Sequence, residues 1–538
     1  MTDLPSTRIA RLTDNGLVVD ERPFLVLGAE IHNSSSSSEV AIRSSFQRVA
    51  ALGANTVLAP VTWQLLEPTE GEFDFTLVDT MIQVAETCGL RLIPLWFGAW
   101  KNATSSYVPD WVKQDAERFP RSHTASSGAI EHLSPFARES RQADALAFGT
   151  LLRHLKTADE RGTVIMVQVE NEVGLLGDSR DRSPLADHAW SGPVPAEVVE
   201  AIARSPLMPA HAEWERAGSN RSGTWTELFG DNVDAHEVFM AWAYASHVES
   251  VAAAGRREHP LPLFVNAWLD SPLELDIPEA QLALAGGMQP GDYPSGGPID
   301  RVHPVWAAAA PTVDLLTPDV YFGDFDRICR AFSEASNGRL FIPEMRRSPR
   351  GVAQMFWAIG EHDAIGVSPF GVDSLAPGTT EERILADAYA LLNGIDIAEA
   401  RRANSPARAF WLTEDQPSAT IKIGEYCFDV KAGDVFGITP PSFPAYGLIV
   451  LPAAGGVTIA GRGFVMTPTR IDGRKAGILS VRELDPITGE TARMLNGDET
   501  GGGSLIQIPA VDAEPSSIWP IPSITTGTGL LHVDLYTY

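Results

Sequence analysis

Val164-Ile-Met-Val-Gln-Val-Glu-Asn-Glu-Val-Gly174 is an apolar, largely β-branched run that stops abruptly at Glu170, Asn171 and Glu172. A run with so little polar alternation suits a strand covered on both faces, as in a parallel sheet flanked by helices. Acids at the carboxyl end of such a strand fall where parallel barrels place their reacting groups. Leu340-Phe-Ile-Pro-Glu344 repeats the pattern, ending in one carboxylate followed by Met345, Arg346 and Arg347. Two acids delivered by separate buried strands match the needs of glycoside cleavage, where one protonates the departing oxygen and the other attacks or stabilises the sugar carbon.

Working outward, a hairpin around Asp14-Asn15-Gly16 precedes strand-like runs at 24–29, 56–60, 91–96, 164–169, 263–266, 313–319, 340–343 and 364–368. Helix-like segments fall between them at 39–52, 77–88, 136–158, 236–254, 324–334, 351–360 and 381–392. Alternation of this kind predicts an α/β protein, a (β/α)8 TIM barrel with an N-terminal hairpin over 1–395. The stretch 175–232, rich in Asp, Ser, Pro and Trp, reads as a long loop walling a pocket. Ser34 to Ser38 reads as a small-residue loop or helix start beside the cavity. From about Ala400 helical signals give way to short alternating runs between Gly and Pro turns, so 396–538 is expected to form a smaller all-β sandwich with an accessory role.

Asp and Glu number 69 against 41 Lys and Arg, a net charge of −28 that disfavours nucleic acid and anionic membranes as partners. Cys88, Cys329 and Cys427 are odd in number and lack metal-ligand spacing, and the twelve His form no His-x-His pair, so neither a metal site nor another cofactor is expected. Free thiols, a first segment from Met1 without an apolar core and no membrane-length apolar run give a cytoplasmic expectation. Monomer and homo-oligomer both stay open.

Gly53-Ala-Asn-Thr-Val-Leu-Ala-Pro-Val-Thr-Trp-Gln-Leu-Leu-Glu-Pro-Thr-Glu-Gly-Glu-Phe-Asp-Phe75 resembles the strand-two signature of β-galactosidases of glycoside hydrolase family 35. Gln168 to Gly174 is similar to that family's strand-four motif, and Gly28-Ala-Glu-Ile-His32 takes the place of its strand one. The resemblance covers residues 20 to 395. It implies a retaining exo-β-glycosidase acting on terminal β-D-galactose of an oligosaccharide or glycoside, with Glu172 as acid/base, Glu344 as nucleophile and Asn171 on the sugar 2-hydroxyl. Two departures stand out. Gln64, Leu65 and Leu66 replace the usual Asn and His before Glu-Pro, and Leu95-Trp-Phe-Gly-Ala-Trp100 replaces a Pro-Gly-Pro-Tyr segment.

Tyr321, Arg346 and Arg347 are candidate donors to Glu344, Tyr321 foremost. Glu30, His32 and Glu67 follow strands one and two and are candidates to hold hydroxyls. Of Trp63, Trp96, Trp100 and Trp268, two are expected to stack on a pyranose ring. Asn102, Asn266, Gln289, Tyr293 and Phe370 complete the expected lining. Glu170, pointing the other way along the strand, reads as a structural acid paired with a buried Arg. The competing functions are another glycone specificity (arabinosidase, xylosidase or glucosidase) and a non-catalytic sugar-binding barrel.

Overall fold

The computed structural model describes residues 10–270, 287–433, 441–495, 497–511 and 527–538. Val26–Glu30, Thr56–Thr62, Arg91–Phe97, Val167–Val169, Leu263–Trp268, Leu315–Val320, Phe341–Met345 and Gly366–Pro369 are barrel strands one to eight, and they close into one parallel barrel. Almost every residue in them is buried, which is why their sequences read as continuous apolar runs. Strand four is short: Val164 meets Leu92 only through a lone bridge before pairing resumes at Val167.

The helices expected between strands form at Glu39–Ala51, Thr76–Cys88, Arg138–Ala158, Val233–Glu258, Phe325–Ala335, Pro349–Glu361 and Thr380–Gly394. Local chemistry starts several of them: the side chains of Ser38, Asn232, Asp324, Ser348 and Thr379 each accept from backbone N–H groups of a first turn. The serine run thus ends as a helix cap.

The stretch 175–232 departs from expectation. It holds four short helices, Pro184–Trp190, Ala196–Ala203, Pro209–Arg216 and Trp225–Phe229. Its tryptophans build a core of their own, with Trp190 and Trp225 packed on Phe239 of the helix Val233–Glu258. Proline at the helix starts and caps at Ser183 and Thr224 were the local signals for helix that the loop-like composition masked.

Strands Arg11–Thr13, Gly16–Val19 and Arg22–Phe24 form a small antiparallel sheet. Its Leu17 and Val19 join Val26, Leu58, Ile93, Leu315 and Phe341 in one apolar cluster at the amino ends of the barrel strands. The lower mouth is therefore packed shut, and the carboxyl ends are left for chemistry.

Past the helix Ile397–Arg402, strands from Ala407 onward make two antiparallel sheets of six and four strands. A separate apolar core lies between them, including Phe428, Ile449, Ile459, Phe464 and Val533. The sandwich is also seated on the barrel. Phe356 packs on Tyr446 at 4.8 Å, Arg462 pairs with Asp387, and Gly360 lies so close to Ala409 that a Cβ there would come within 2.6 Å.

Candidate active site

Glu170 and Glu172 both adopt left-handed backbone, φ 61° and 44°, a conformation that costs non-glycine residues energy and persists only where surroundings enforce it. The kinked end of strand four sends Glu172 into the barrel mouth and Glu170 toward the helices behind. Asn266 of strand five fixes the first of these. Its Oδ1 accepts from the Glu172 backbone N–H at 3.0 Å, and its Nδ2 donates to Asp319 Oδ2 of strand six at 2.6 Å.

Five charged groups meet at this mouth: Glu30 from strand one, Lys101 beyond strand three, Glu172, Asp319 and Glu344 of strand seven, all buried. Burial pushes the Glu172 carboxyl up to about 7; Lys101 opposes that rise, Glu344 adds to it, and a hydrogen bond with Asp319 opposes it. Asp319 is held far above the usual carboxylate range by burial and by Glu344, Glu172 and Glu30. Glu30 is raised by burial and by Glu344. Burial alone would lower the Lys101 ammonium, but Glu172, Glu344, Glu30 and Asp319 outweigh it and keep the cation above its ordinary value. A protonated acid therefore sits near a second carboxylate, the separation of roles that two-carboxylate chemistry requires.

The Tyr321 hydroxyl donates to Glu344 Oε1, a bond suited to an anionic partner. Of the three donors expected at Glu344, Tyr321 is the one found there. Arg346 instead lies over the Phe322 ring at 4.4 Å, and Arg347 binds the Gly371 carbonyl and Ser374. Glu30 Oε1, Glu344 Oε2 and both amide atoms of Asn171 are buried without a partner among the described residues. Unpaired buried polar atoms are expensive, so the open oxygens of Glu30 and Glu344, two acids that act on one another at the mouth, favour a polar group there.

Other expected residues form the rim. His32 shares a hydrogen bond with Ser374 at 3.0 Å and stands edge-on to Phe370 at 5.0 Å, tying the ends of strands one and eight together. Trp268, partly exposed at the end of strand five, lies in register with Asp319. Asn102 is exposed in the turn after strand three, and Gln289 is exposed as well.

Five of the residues expected around the sugar have their polar atoms on protein partners instead. Trp63 is fully buried, donates to Glu67 Oε2 at 2.7 Å and packs edge-on against Trp111. Glu67 is equally committed, taking the Gly71 N–H on its other oxygen. Trp100 is fully buried among His132, Tyr244 and His247, with its indole N–H on the Leu133 carbonyl. Trp96, also fully buried, donates to Asp144, and Tyr293 donates to Glu237 at 2.5 Å. These side chains face the helix layer, where large aromatics fill space, so one tryptophan of the four, Trp268, is left at the mouth. Glu170 pairs with another acid: Trp100 N–H donates to its Oε2 at 2.8 Å, and its carboxyl hydrogen-bonds that of Asp144.

Lys101 and Asp319 were not singled out from sequence. Asp319 closes a strand two residues before Tyr321, a position that was available as a signal. Lys101 had none beyond its place after the strand-three segment that departs from the family pattern. Among the described residues there is no cluster of His, Cys, Asp and Glu able to hold a metal, and no helix is long and apolar enough to cross a membrane.

Residues 16–191 match the model of glycosyl hydrolases family 35, and residues 385–507 match a domain of unknown function, DUF5597. The family 35 match thus covers the first half of the barrel, strands one to four. A β-galactosidase of Xanthomonas manihotis is 29% identical over 183 residues, which is 32% of this chain and 27% of that protein. The β-galactosidase-1-like protein 3 of Homo sapiens is 29% identical over 168 residues, 30% of this chain and 23% of that protein. The alignments therefore span about a quarter of those relatives. Among solved structures, a β-galactosidase from Marinomonas ef1 aligns with TM-score 0.47 at 12% identity, covering 70% of this chain and 60% of that one. The catalytic domain of a Paenibacillus polymyxa β-amylase aligns with TM-score 0.46 at 13% identity, covering 67% and 96%.

Proposed function

We propose that the protein is a retaining exo-β-glycosidase that removes terminal β-D-galactose. The reading is carried by one observation, a buried acid held near neutrality at the end of strand four, Glu172, within electrostatic reach of a tyrosine-bound carboxylate on strand seven, Glu344. Glu172 gives its proton to the departing oxygen while Glu344 attacks the anomeric carbon. The glycosyl–Glu344 ester is then opened by water, from which Glu172 takes the proton back. In this reading Asn171 holds the sugar 2-hydroxyl and Trp268 packs on its apolar face. Galactose as the glycone draws support from the two relatives, a β-galactosidase and a β-galactosidase-1-like protein.

Assay of 4-nitrophenyl β-D-galactoside, β-D-glucoside, β-D-xyloside and α-L-arabinoside tests it, with the anomer of the first-formed sugar followed by NMR. Galactoside turnover with β-galactose formed first is expected, with loss of turnover in Glu172→Gln and Glu344→Gln. Full turnover by either variant, or first formation of the α-anomer, would falsify the assignment.

A further inference from the structure

Lys101 has no role in the two-carboxylate cycle, yet the fold invests heavily in placing it. Its turn is closed by reciprocal backbone bonds, Lys101 N–H to the Thr104 carbonyl at 2.8 Å and Thr104 N–H to the Lys101 carbonyl at 3.0 Å. Asn102 and Ala103 between them are both left-handed, φ 50° and 54°, a strained choice for alanine. Ala103 then anchors the turn on both sides. Its N–H donates to the Glu172 carbonyl at 3.1 Å, and its carbonyl bonds His132 Nδ1 at 2.8 Å.

Lys101, held by this device, is 5% exposed as a residue. Among the described residues its ammonium makes no hydrogen bond and no ion pair; the Phe97 ring lies 5.1 Å from it. Glu172, Glu344, Glu30 and Asp319 surround it closely enough to act on its charge, without contact. Of the acids that act on its charge, Glu30 and Glu344 each keep one buried oxygen, Oε1 and Oε2, without a donor among the described residues. A buried ammonium with three N–H donors and carboxyl oxygens without donors are both satisfied by one group that accepts from the first and donates to the second. A hydroxyl does both; a carboxylate only accepts and an ammonium only donates.

We propose that Lys101 and Glu30 hold one glycone hydroxyl between them, the ammonium donating to its oxygen and Glu30 taking its proton as acceptor, so that this pair reads the sugar and fixes its depth. The proposal rests on the glycosidase reading of the same cavity. It gives a sugar-reading role to the residue directly after the segment Leu95 to Trp100, in which the chain departs from the family's strand-three pattern.

The test sets hydroxyl removal in the sugar against charge removal in the protein. 4-Nitrophenyl β-D-galactoside and its 2-, 3-, 4- and 6-deoxy analogues are assayed with wild type, Lys101→Met and Lys101→Gln, each checked by thermal melting. One analogue is expected to lose roughly 30-fold or more in kcat/KM with wild type and under about threefold with the variants, because the contact is already gone. Equal losses for every analogue in wild type and variants would overturn the clamp while leaving the glycosidase reading intact. If both Lys101 variants fail to fold, Glu30→Gln carries the same comparison. If wild type cleaves no aryl glycoside, the reading under Proposed function falls instead. Calorimetric binding of D-galactose and its deoxy analogues then decides the clamp: unchanged affinity in the variants overturns it, and loss of discrimination at one hydroxyl upholds it.

Discussion

The end of strand four parts two buried carboxyl groups, two residues apart, into clusters of opposite design. Behind the strand, Glu170 shares a hydrogen bond with Asp144, which also takes the Trp96 indole N–H at 2.9 Å and bonds His247 Nε2 at 3.0 Å. In front of it, Glu172 meets Glu344, Asp319 and Lys101. Burial raises both glutamates, so a raised carboxyl does not by itself identify the working acid. What separates them is place. The rear cluster lies between the strand end and the helices, where Asp144 of the helix Arg138–Ala158 ties Trp96 and His247 to Glu170, although among the described residues Glu170 Oε1 and His247 Nδ1 have no hydrogen-bond partner of their own. The front one stands at the carboxyl ends of strands one, four, six and seven, where Glu30, Glu344 and Asp319 atoms lack partners. The first fastens helices to the barrel, and the second sits where parallel barrels place their chemistry.

The largest effect should come from the front. Glu344→Gln is expected to lower kcat by on the order of 10⁴-fold or more, and Glu172→Gln by about 10²- to 10⁴-fold, less for an aryl leaving group that needs no proton. Steady-state kinetics on the galactoside checks both. In the rear, Asp144→Ala is expected to leave kcat/KM within about tenfold yet destabilise the fold by about 3 kcal/mol, because Glu170, His247 and Trp96 lose their shared partner. Denaturant unfolding reads the second number. A kinetic collapse in Asp144→Ala at unchanged stability would erase the distinction between the clusters.

The distinction was only partly legible in the chain. Apolar runs ending in Glu172 and Glu344 disclose the barrel and its two acids because a doubly covered strand needs unbroken hydrophobicity, and its end is where that requirement stops. Tyr321 followed from the resemblance, which implies a tyrosine against the nucleophile at the end of strand six. The direction of Trp63 and Trp100 did not, since beyond a strand's end the two-residue alternation no longer applies and the turn decides which way an indole points. Lys101 was hidden for a related reason. Its burial depends on two left-handed residues and on contacts from strands distant in sequence. The short helices between 184 and 229 were masked by Asp-, Ser- and Pro-rich composition that serves as caps and first turns.

Smaller effects sharpen the contrast through pH. With Glu172 titrating at about 7, kcat/KM should fall as pH rises past that value, because the departing oxygen then meets no proton. Lys101 draws that carboxyl down, so Lys101→Met should move the alkaline limb upward; a limb that stays fixed would show that the cation does not act on the acid. Stability moves in the same direction as activity. Glu172 binds its proton more tightly folded than unfolded, so its protonated form favours the fold, and that contribution is lost as pH climbs from about 4.5 to about 7. Glu172→Gln should therefore melt higher than wild type at pH 8 and nearly equally at pH 4. Smallest of all, Glu67→Gln should leave KM unchanged within about twofold, since that carboxylate serves Trp63 and Gly71.

The seam between barrel and sandwich bears on how this chain can be handled and how it can evolve. Ala409, Tyr446, Leu448 and Leu530 of the sandwich belong to the same apolar mass as the barrel's outer helices, and Gly360 leaves no room for a side chain between them. Cutting the polypeptide after the last barrel helix would strip a greasy flank bare, and the severed halves would aggregate sooner than work. The two architectures thus pack as one body, and a swapped-in β module would have to cover the same flank.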